Sequence, residues 1–365
     1  MEKMLRVGII GASAGGGWAK VSHVPAVQAL AGLKLEAVVT NSQASADEAA
    51  RAFGVEKGYG DAAALFRDPA IDLVTVAVSV PYHRALVLAA IDAGKHLYCE
   101  WPLGSDLAEA EELAAAARKA GIHAAIGLQT RMNPAARHAR DLIVSGAIGR
   151  VLSARVVSAT MAFGPKVEPS YAFAENPAKG TNLVTIQGGH TLDLVNTVLG
   201  PFSEGAAMGT TQYPSVTIGD DPAPQTRSTF DHILVQARLA AGPAAAIEVM
   251  GGRPSDAVPF RFEATGDKGS LVLEGGAPRG FQSGRLRLLL NGERQHVEEA
   301  ELSGLPDEAA NVAGIYAALR DDVANGISTA PGFDHAVRLT HLVGDLLDSA
   351  ATGTRKPARE WPEAA

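Results

Sequence analysis

Residues 5–18, LRVGIIGASAGGGW, decide how this chain folds. An apolar run from Leu5 to Ile10 gives way to Gly11, then to a small-residue loop ending in Gly15-Gly16-Gly17 and Trp18. Short apolar runs without two-residue alternation are the mark of strands covered on both faces. Glycines just beyond such a strand let the backbone turn tightly and bring unshielded amides up to an anion where the next helix begins. The order strand, loop, helix therefore makes Gly11, Ser13, Ala14, Gly17 and Trp18 candidate contacts to a dinucleotide pyrophosphate. The match to G-x-G-x-x-G is imperfect, since Ser13 stands where the middle glycine belongs and the loop is one residue longer. A plain flexible turn is the alternative.

Working outward, the pattern repeats. LKLEAVVT, DLVTVAV, KHLYCE and HAAIGL are further apolar runs, separated by alanine-rich amphipathic segments at 18–30, 44–53, 82–93, 106–119 and 134–144. Asp106 is placed to cap the start of one helix, and Gly94 and Gly121 to end two others. Such alternation predicts an α/β Rossmann domain with a doubly wound parallel sheet, over residues 1–148. After Gly149 the texture changes to VLSARVVSATMAF, HILVQARLAA, AAAIEVMGG, FRFEATG, GSLVLEG and RLRLLLNG, punctuated by glycine turns. Residues 149–365 are thus expected to form an α+β domain with a large, mostly antiparallel sheet. HILVQARL and AAAIEVM, joined at Gly242-Pro243, predict a hairpin, and 203–228, rich in Gly, Pro, Ser and Thr, a long mobile loop. Helices over 308–325 and 333–351 close the chain and can pack back on the first domain.

Composition narrows the partners. The 365 residues carry 32 Lys plus Arg against 40 Asp plus Glu, a net charge of −8 with the two signs interspersed. A nucleic-acid surface needs a basic patch, so direct nucleic-acid binding is not expected. The single cysteine, Cys99, excludes an internal disulfide and fits a reducing compartment. No run approaches the roughly 20 apolar residues of a membrane span. The run Val7–Ala12 is too short for the core of a signal peptide, which makes the cytoplasm the expected location. The histidines show no metal-ligand spacing, so no metal is expected. At the end of the second strand, Thr40, Asn41 and Ser42 replace the acid with which an NAD site holds its ribose hydroxyls, and NADP is therefore expected over NAD.

GII-G near the start, PYH at 81–83, AGKHLYCEWPL at 93–103, GLQTRMNP at 127–134 and GGHTLDLV at 188–195 resemble the motifs of the glucose-fructose oxidoreductase / inositol dehydrogenase (Gfo/Idh/MocA) family. The likeness spans residues 5–353. It is greater still to a branch holding the fungal galactose-regulon repressor and its bacterial oxidoreductase relatives, as in TNLVTIQGGHTLD and GDKGSLVLEG. The resemblance implies an NAD(P)-dependent oxidoreductase of a sugar, cyclitol or glycoside hydroxyl, or else a dinucleotide- and sugar-sensing regulator without turnover. It also implies a homo-oligomer, a dimer or tetramer. Ser79, Pro81, His83, Glu100 and Trp101 then fall in the cofactor site, with Glu100 at the nicotinamide ribose, helix capping being its alternative.

The chemistry requires a proton carrier within hydrogen-bond reach of the hydroxyl. Most of the family reads Glu-Lys-Pro where this chain has Glu100-Trp101-Pro102, and an indole N–H donates but shuttles no proton. Trp101 is either an apolar wall beside the nicotinamide or a sugar face, or a core aromatic at the strand end. His190, with Asp193 one helical turn on, is the expected catalytic pair; an interdomain histidine is the alternative. The aspartate usual four residues before that histidine is Ile186 here. Gln129 and Arg131, after the sixth strand, contact either substrate and the cofactor carboxamide or the domain boundary. His83 sits either near cofactor phosphates or simply at a helix start.

Overall fold

The computed structural model describes residues 4–253, 259–298 and 302–358. The chain forms two compact units, Met1–Gln129 with Glu299–Val337 and Thr130–Glu298 with Arg338–Ala365.

In the first unit, six parallel strands, β1 (Leu5–Ile10), β2 (Leu33–Val39), β3 (Lys57–Tyr59), β4 (Leu73–Val76), β5 (His96–Cys99) and β6 (Ala124–Ile126), lie in the order β3-β2-β1-β4-β5-β6. This is the Rossmann order, whose reversal point falls between β1 and β4. Val7, Ile9, Leu73, Val74, Val76 and Leu97 are fully buried, as strands covered on both faces demand. Gly11 ends β1 with φ +97°, and a Cβ there would lie 2.3 Å from the Ala77 carbonyl oxygen. Only glycine lets the chain turn past the end of β4 at that point.

The amphipathic segment 18–30 is two short helices, α1 (Trp18–Val21) and α2 (His23–Ala29), broken at Ser22. Pro25 is the cause: it has no N–H for the Val21 carbonyl, so the ladder cannot continue. The remaining crossovers are α3 (Gln43–Phe53), α4 (Ala62–Arg67), α5 (His83–Asp92) and α6 (Leu107–Ala120). The expected cap at Asp106 accepts from Glu109 N at 2.9 Å, and Gly121 closes α6 in the left-handed region.

The second unit carries α7 (Pro134–Val144), α8 (Gly189–Leu199) and strands β7 (Val151–Ala159) to β18 (Lys356–Pro357). β9 (Phe202–Thr210), β12 (His232–Leu239), β13 (Ala244–Met250), β14 (Phe260–Gly266), β15 (Ser270–Gly275), β16 (Leu286–Leu290) and β17 (Glu293–Arg294) complete a nine-stranded sheet, β17-β16-β15-β14-β7-β13-β12-β9-β18. Every pairing in it is antiparallel except β7 with β13. β12 and β13 form the expected hairpin. A three-stranded sheet sits beside it, β8 (Lys166–Val167), β10 (Ser215–Ile218) and β11 (Gln225–Thr226).

One expectation needs correction. The segment 203–228 is not a long loop, for it holds β9, β10 and β11. Its small residues serve close packing: a Cβ at Gly209 would lie 2.5 Å from the Phe230 ring, and one at Gly205 3.0 Å from Leu346. The compact units divide the chain at Gln129/Thr130. α7 belongs with the second unit because its buried face (Ala135, Ala136, Ala139) packs on α8, β15 and β16. Of the closing helices, α9 (Asp307–Asn325) packs on α2 in the first unit, whereas α10 (Phe333–Thr352) begins in the first and ends in the second.

Candidate functional site

The glycine loop braces itself. Ser13 Oγ accepts from Gly15 N at 3.2 Å, and Lys20 Nζ donates to the Ala14 carbonyl at 2.6 Å. Gly16 and Gly17 adopt φ of +151° and +101°, with no heavy atom within 4 Å of where a Cβ would stand. Ser13, Gly15 and Gly17 are exposed, so this backbone presents its amides with room for an anion beside them. Since α1 is a single turn, an anion placed here would meet loop amides more than a long helix dipole. At the end of β2, Thr40, Ser42 and Ser45 form a hydroxyl cluster (Thr40 Oγ1 to Ser45 Oγ 2.6 Å, Ser42 Oγ to Ser45 Oγ 2.8 Å), and Asn41 lies exposed next to it.

Along the same carboxyl edge, Ser79 and Pro81 lead through a single 3-10 turn into α5. His83 is fully buried, with Nε2 2.9 Å from the Val78 carbonyl and Nδ1 2.9 Å from that of Pro102. Burial pushes its pKa below the ordinary histidine range; a neutral ring donates to only one of these two carbonyls, and Nδ1 also lies 3.4 Å from Cys99 Sγ, whose S–H can donate to it. The structure thus gives His83 a bracing place between the end of β4 and the turn after β5. Trp101 is buried at the start of that turn. Cys99 is buried with its pKa pushed well up by desolvation, which makes it an inert thiol. Gln129, also buried, has its Oε1 without a hydrogen-bond partner among the described residues. An unmet buried acceptor is costly and suits a ligand amide. The exposed glycines and this amide fit a bound dinucleotide.

In the second unit the sequence-predicted residues meet on α8. The helix is entered through a π-turn, Val184–Gly188, capped by Asn182, whose Oδ1 accepts from Val184 N and Thr185 N. π-turns of this kind recur at functional sites. Residues 189–195 are all buried, His190 and Asp193 among them. Asp193 Oδ1 accepts from Arg131 Nη1 at 2.9 Å, so the carboxylate one turn from His190 is held by a guanidinium from the turn before α7. Ile186 occupies the π-turn, and Gln187 there donates through Nε2 to Ser158 Oγ at 2.8 Å and accepts from Gln282 Nε2 at 3.0 Å. Gln187, Ser158 and Gln282 escaped the sequence reading; only the buried amide chain identifies them. Among the described residues no group of three or more His, Cys, Asp or Glu could hold a metal ion, and no helix is long and apolar enough to cross a membrane.

Comparison with known proteins follows the same division. The sequence model of the oxidoreductase family with an NAD-binding Rossmann fold (GFO_IDH_MocA) matches residues 5–128, and that of the Gal80p C-terminal domain residues 134–275. Dehydrogenase aclE of Aspergillus oryzae is 32% identical over 286 residues, 75% of this chain and 78% of that one. The galactose/lactose metabolism regulatory protein GAL80 of Saccharomyces cerevisiae is 28% identical over 300 residues, 75% of this chain and 67% of its own. Levoglucosan dehydrogenase in complex with NADH and L-sorbose shares the fold, with a TM-score of 0.83 at 24% identity over 97% of this chain and 99% of that one.

Proposed function

We propose, from the premise that this chain belongs to the Gfo/Idh/MocA oxidoreductase family and to its Gal80-like branch, that it transfers a hydride between a nicotinamide dinucleotide and a hydroxyl or carbonyl of a sugar, cyclitol or glycoside. When bound, the dinucleotide supplies the hydride acceptor or donor. Gly11, Ser13, Ala14, Gly17 and Trp18 are assigned to its pyrophosphate, Thr40, Asn41 and Ser42 to the adenosine ribose, and Ser79, Pro81, Glu100 and Trp101 to the remainder of the cofactor site. His83 braces this edge from behind. Gln129 is assigned to the cofactor carboxamide through its buried Oε1.

The proton is the task of His190. An imidazole takes the alcohol proton in the oxidative direction and returns it in the other. Arg131 and Asp193 fix the polar ground on which the substrate hydroxyls are held. The observation that carries this assignment is the Arg131–Asp193 pair beside a buried histidine on a buried helix. Charged groups are kept in such places only when paired, and commonly for chemistry.

Turnover of members of a broad sugar and polyol panel with NADP(H) and NAD(H) is the test. Turnover of at least one substrate is expected, with the higher kcat/KM for NADP(H), because no acid at 40–43 repels a 2′-phosphate. A reversed ratio would reject the cofactor preference alone. The regulatory alternative is favoured by one residue, Trp101, which carries no proton; dinucleotide binding without turnover across the panel would establish it. Location in the cytoplasm belongs to the same proposal.

Self-association is assigned to the outward face of the nine-stranded sheet. Exposed Leu234 on β12 pairs there with exposed Met208 on β9. Adjacent exposed apolar side chains on a broad sheet mark an interaction face. Sedimentation as a dimer or larger is expected, and Leu234→Glu is expected to shift it toward monomer; a wild-type monomer at micromolar concentration would contradict the assignment.

A further inference from the structure

The first unit contains a buried hydrogen-bond chain that neither the glycine loop nor the proton chemistry uses. His23, fully buried at the start of α2, places Nε2 2.9 Å from Glu100 Oε1 and Nδ1 2.9 Å from the Tyr316 hydroxyl. That hydroxyl lies 2.7 Å from Thr75 Oγ1 on β4. Four separate stretches of chain thus converge on one line: β4, the start of α2, the residue after β5, and α9. Tyr98 and Tyr316 meet the imidazole edge-on, with ring centroids 4.9 and 5.7 Å away, which leaves the ring one orientation. Gly127 makes the space at the far end, because a Cβ there would lie 2.9 Å from Glu100 Oε1.

Burial drives the Tyr316 pKa far above the ordinary tyrosine range, so this hydroxyl stays neutral. One order gives every group a partner of the right kind: Thr75 O–H donating to Tyr316, Tyr316 O–H to His23 Nδ1, and His23 Nε2–H to Glu100 Oε1. Only Oε1 of Glu100 is taken up. The side chain keeps 14% of its surface exposed, and Oε2 makes no hydrogen bond among the described residues. A carboxylate held by one oxygen at the carboxyl edge of a Rossmann sheet presents the other to whatever binds there.

We infer that His23, backed by Tyr316, is a positioning residue that aims the Glu100 carboxylate at a ribose hydroxyl of the bound dinucleotide. The inference rests on the proposed cofactor assignment and adds a residue that touches no ligand itself. Two groups that act as one unit give non-additive effects, whereas a histidine that merely fills the core gives effects independent of residue 100.

Fluorescence titration of the full chain with NADH and NADPH tests it, using wild type, His23→Phe, Glu100→Gln and the double variant. Glu100→Gln is expected to weaken binding about tenfold, as loss of a hydrogen bond to a charged group does. His23→Phe is expected to weaken it comparably, and the double variant no further than Glu100→Gln alone. Tyr316→Phe preserves shape, should act in the same direction more weakly, and reads the same coupling to Glu100 if thermal melting shows His23→Phe unfolded. Unchanged binding in the folded His23 and Tyr316 variants, or losses that multiply in the double variant, would overturn the inference while leaving the cofactor assignment intact. Failure of wild type to bind either dinucleotide would instead defeat the cofactor assignment.

Discussion

Arg227→Met is expected to lower the stability of the second unit by about 3–5 kcal/mol, the usual cost of removing one partner from a buried ion pair. Arg227 is fully buried and spends all its donors. Nε and Nη2 grip Glu175 at 2.8 and 2.6 Å, Nη1 reaches Asp231 at 3.1 Å and the Phe163 carbonyl at 2.6 Å, and Nη2 also meets the Gly164 carbonyl at 3.0 Å. Asp231 in turn accepts from Gln212 N and Tyr213 N, so one guanidinium ties three loops together. Methionine fills much the same volume but strands two buried carboxylates. Phe163, held at φ +62°, would relax and return part of the loss, about 1–3 kcal/mol at most for such a conformation. The stranded charges outweigh that. A fall in melting temperature of roughly 10 °C is expected, with faster amide exchange across 160–175 and 210–227. Arg227→Lys should fall nearly as far, because a point charge cannot replace a bidentate fork. A melting shift of only about 2 °C in Arg227→Met would mean that the cluster is solvated or replaceable, contrary to its burial.

This cluster also marks where the sequence stops being legible. Strands β1, β2, β4, β5 and β6 are readable because burial on both faces leaves near-continuous apolar runs, and glycine or aspartate marks the helix ends. β3 is three half-buried residues, Lys-Gly-Tyr, with no such run, and α4 is a six-residue helix behind it. β9 is hidden for the opposite reason: packing demands Gly and Ala, which on composition alone resemble a loop. At the site, His190 and Asp193 are legible because helical spacing is local. Their partner Arg131 lies 62 residues away, Arg227 and Glu175 are 52 apart, and His23 and Tyr316 293 apart. Such pairs exist only once the sheets are assembled, and no spacing rule announces them. The histidine at 23, unremarkable among ten in the sequence, acquires a role only through Glu100 and α9.

His190→Asn is expected to reduce kcat by roughly 10²–10⁴, the contribution of a positioned acid–base group, while leaving dinucleotide affinity within about twofold. The asymmetry follows from where the groups lie. His190 is on α8 in the second unit, whereas the glycine loop and the strand ends assigned to the cofactor are in the first. Asparagine keeps a polar side chain of similar reach but cannot exchange a proton near neutrality. Asp193→Asn removes something else. It leaves the Arg131 guanidinium without its counter-charge, so KM for the sugar should rise together with a loss of stability, and kcat should fall less than in His190→Asn. The two variants therefore separate a group that moves the proton from one that holds the ground beside it. Retention of wild-type kcat by folded His190→Asn would remove the imidazole from the chemistry. Trp101 offers no titratable replacement, which leaves the Asp193 and Glu100 carboxylates, and a pH–rate profile unchanged by the His190 substitution but altered by Glu100→Gln would identify Glu100 as the route.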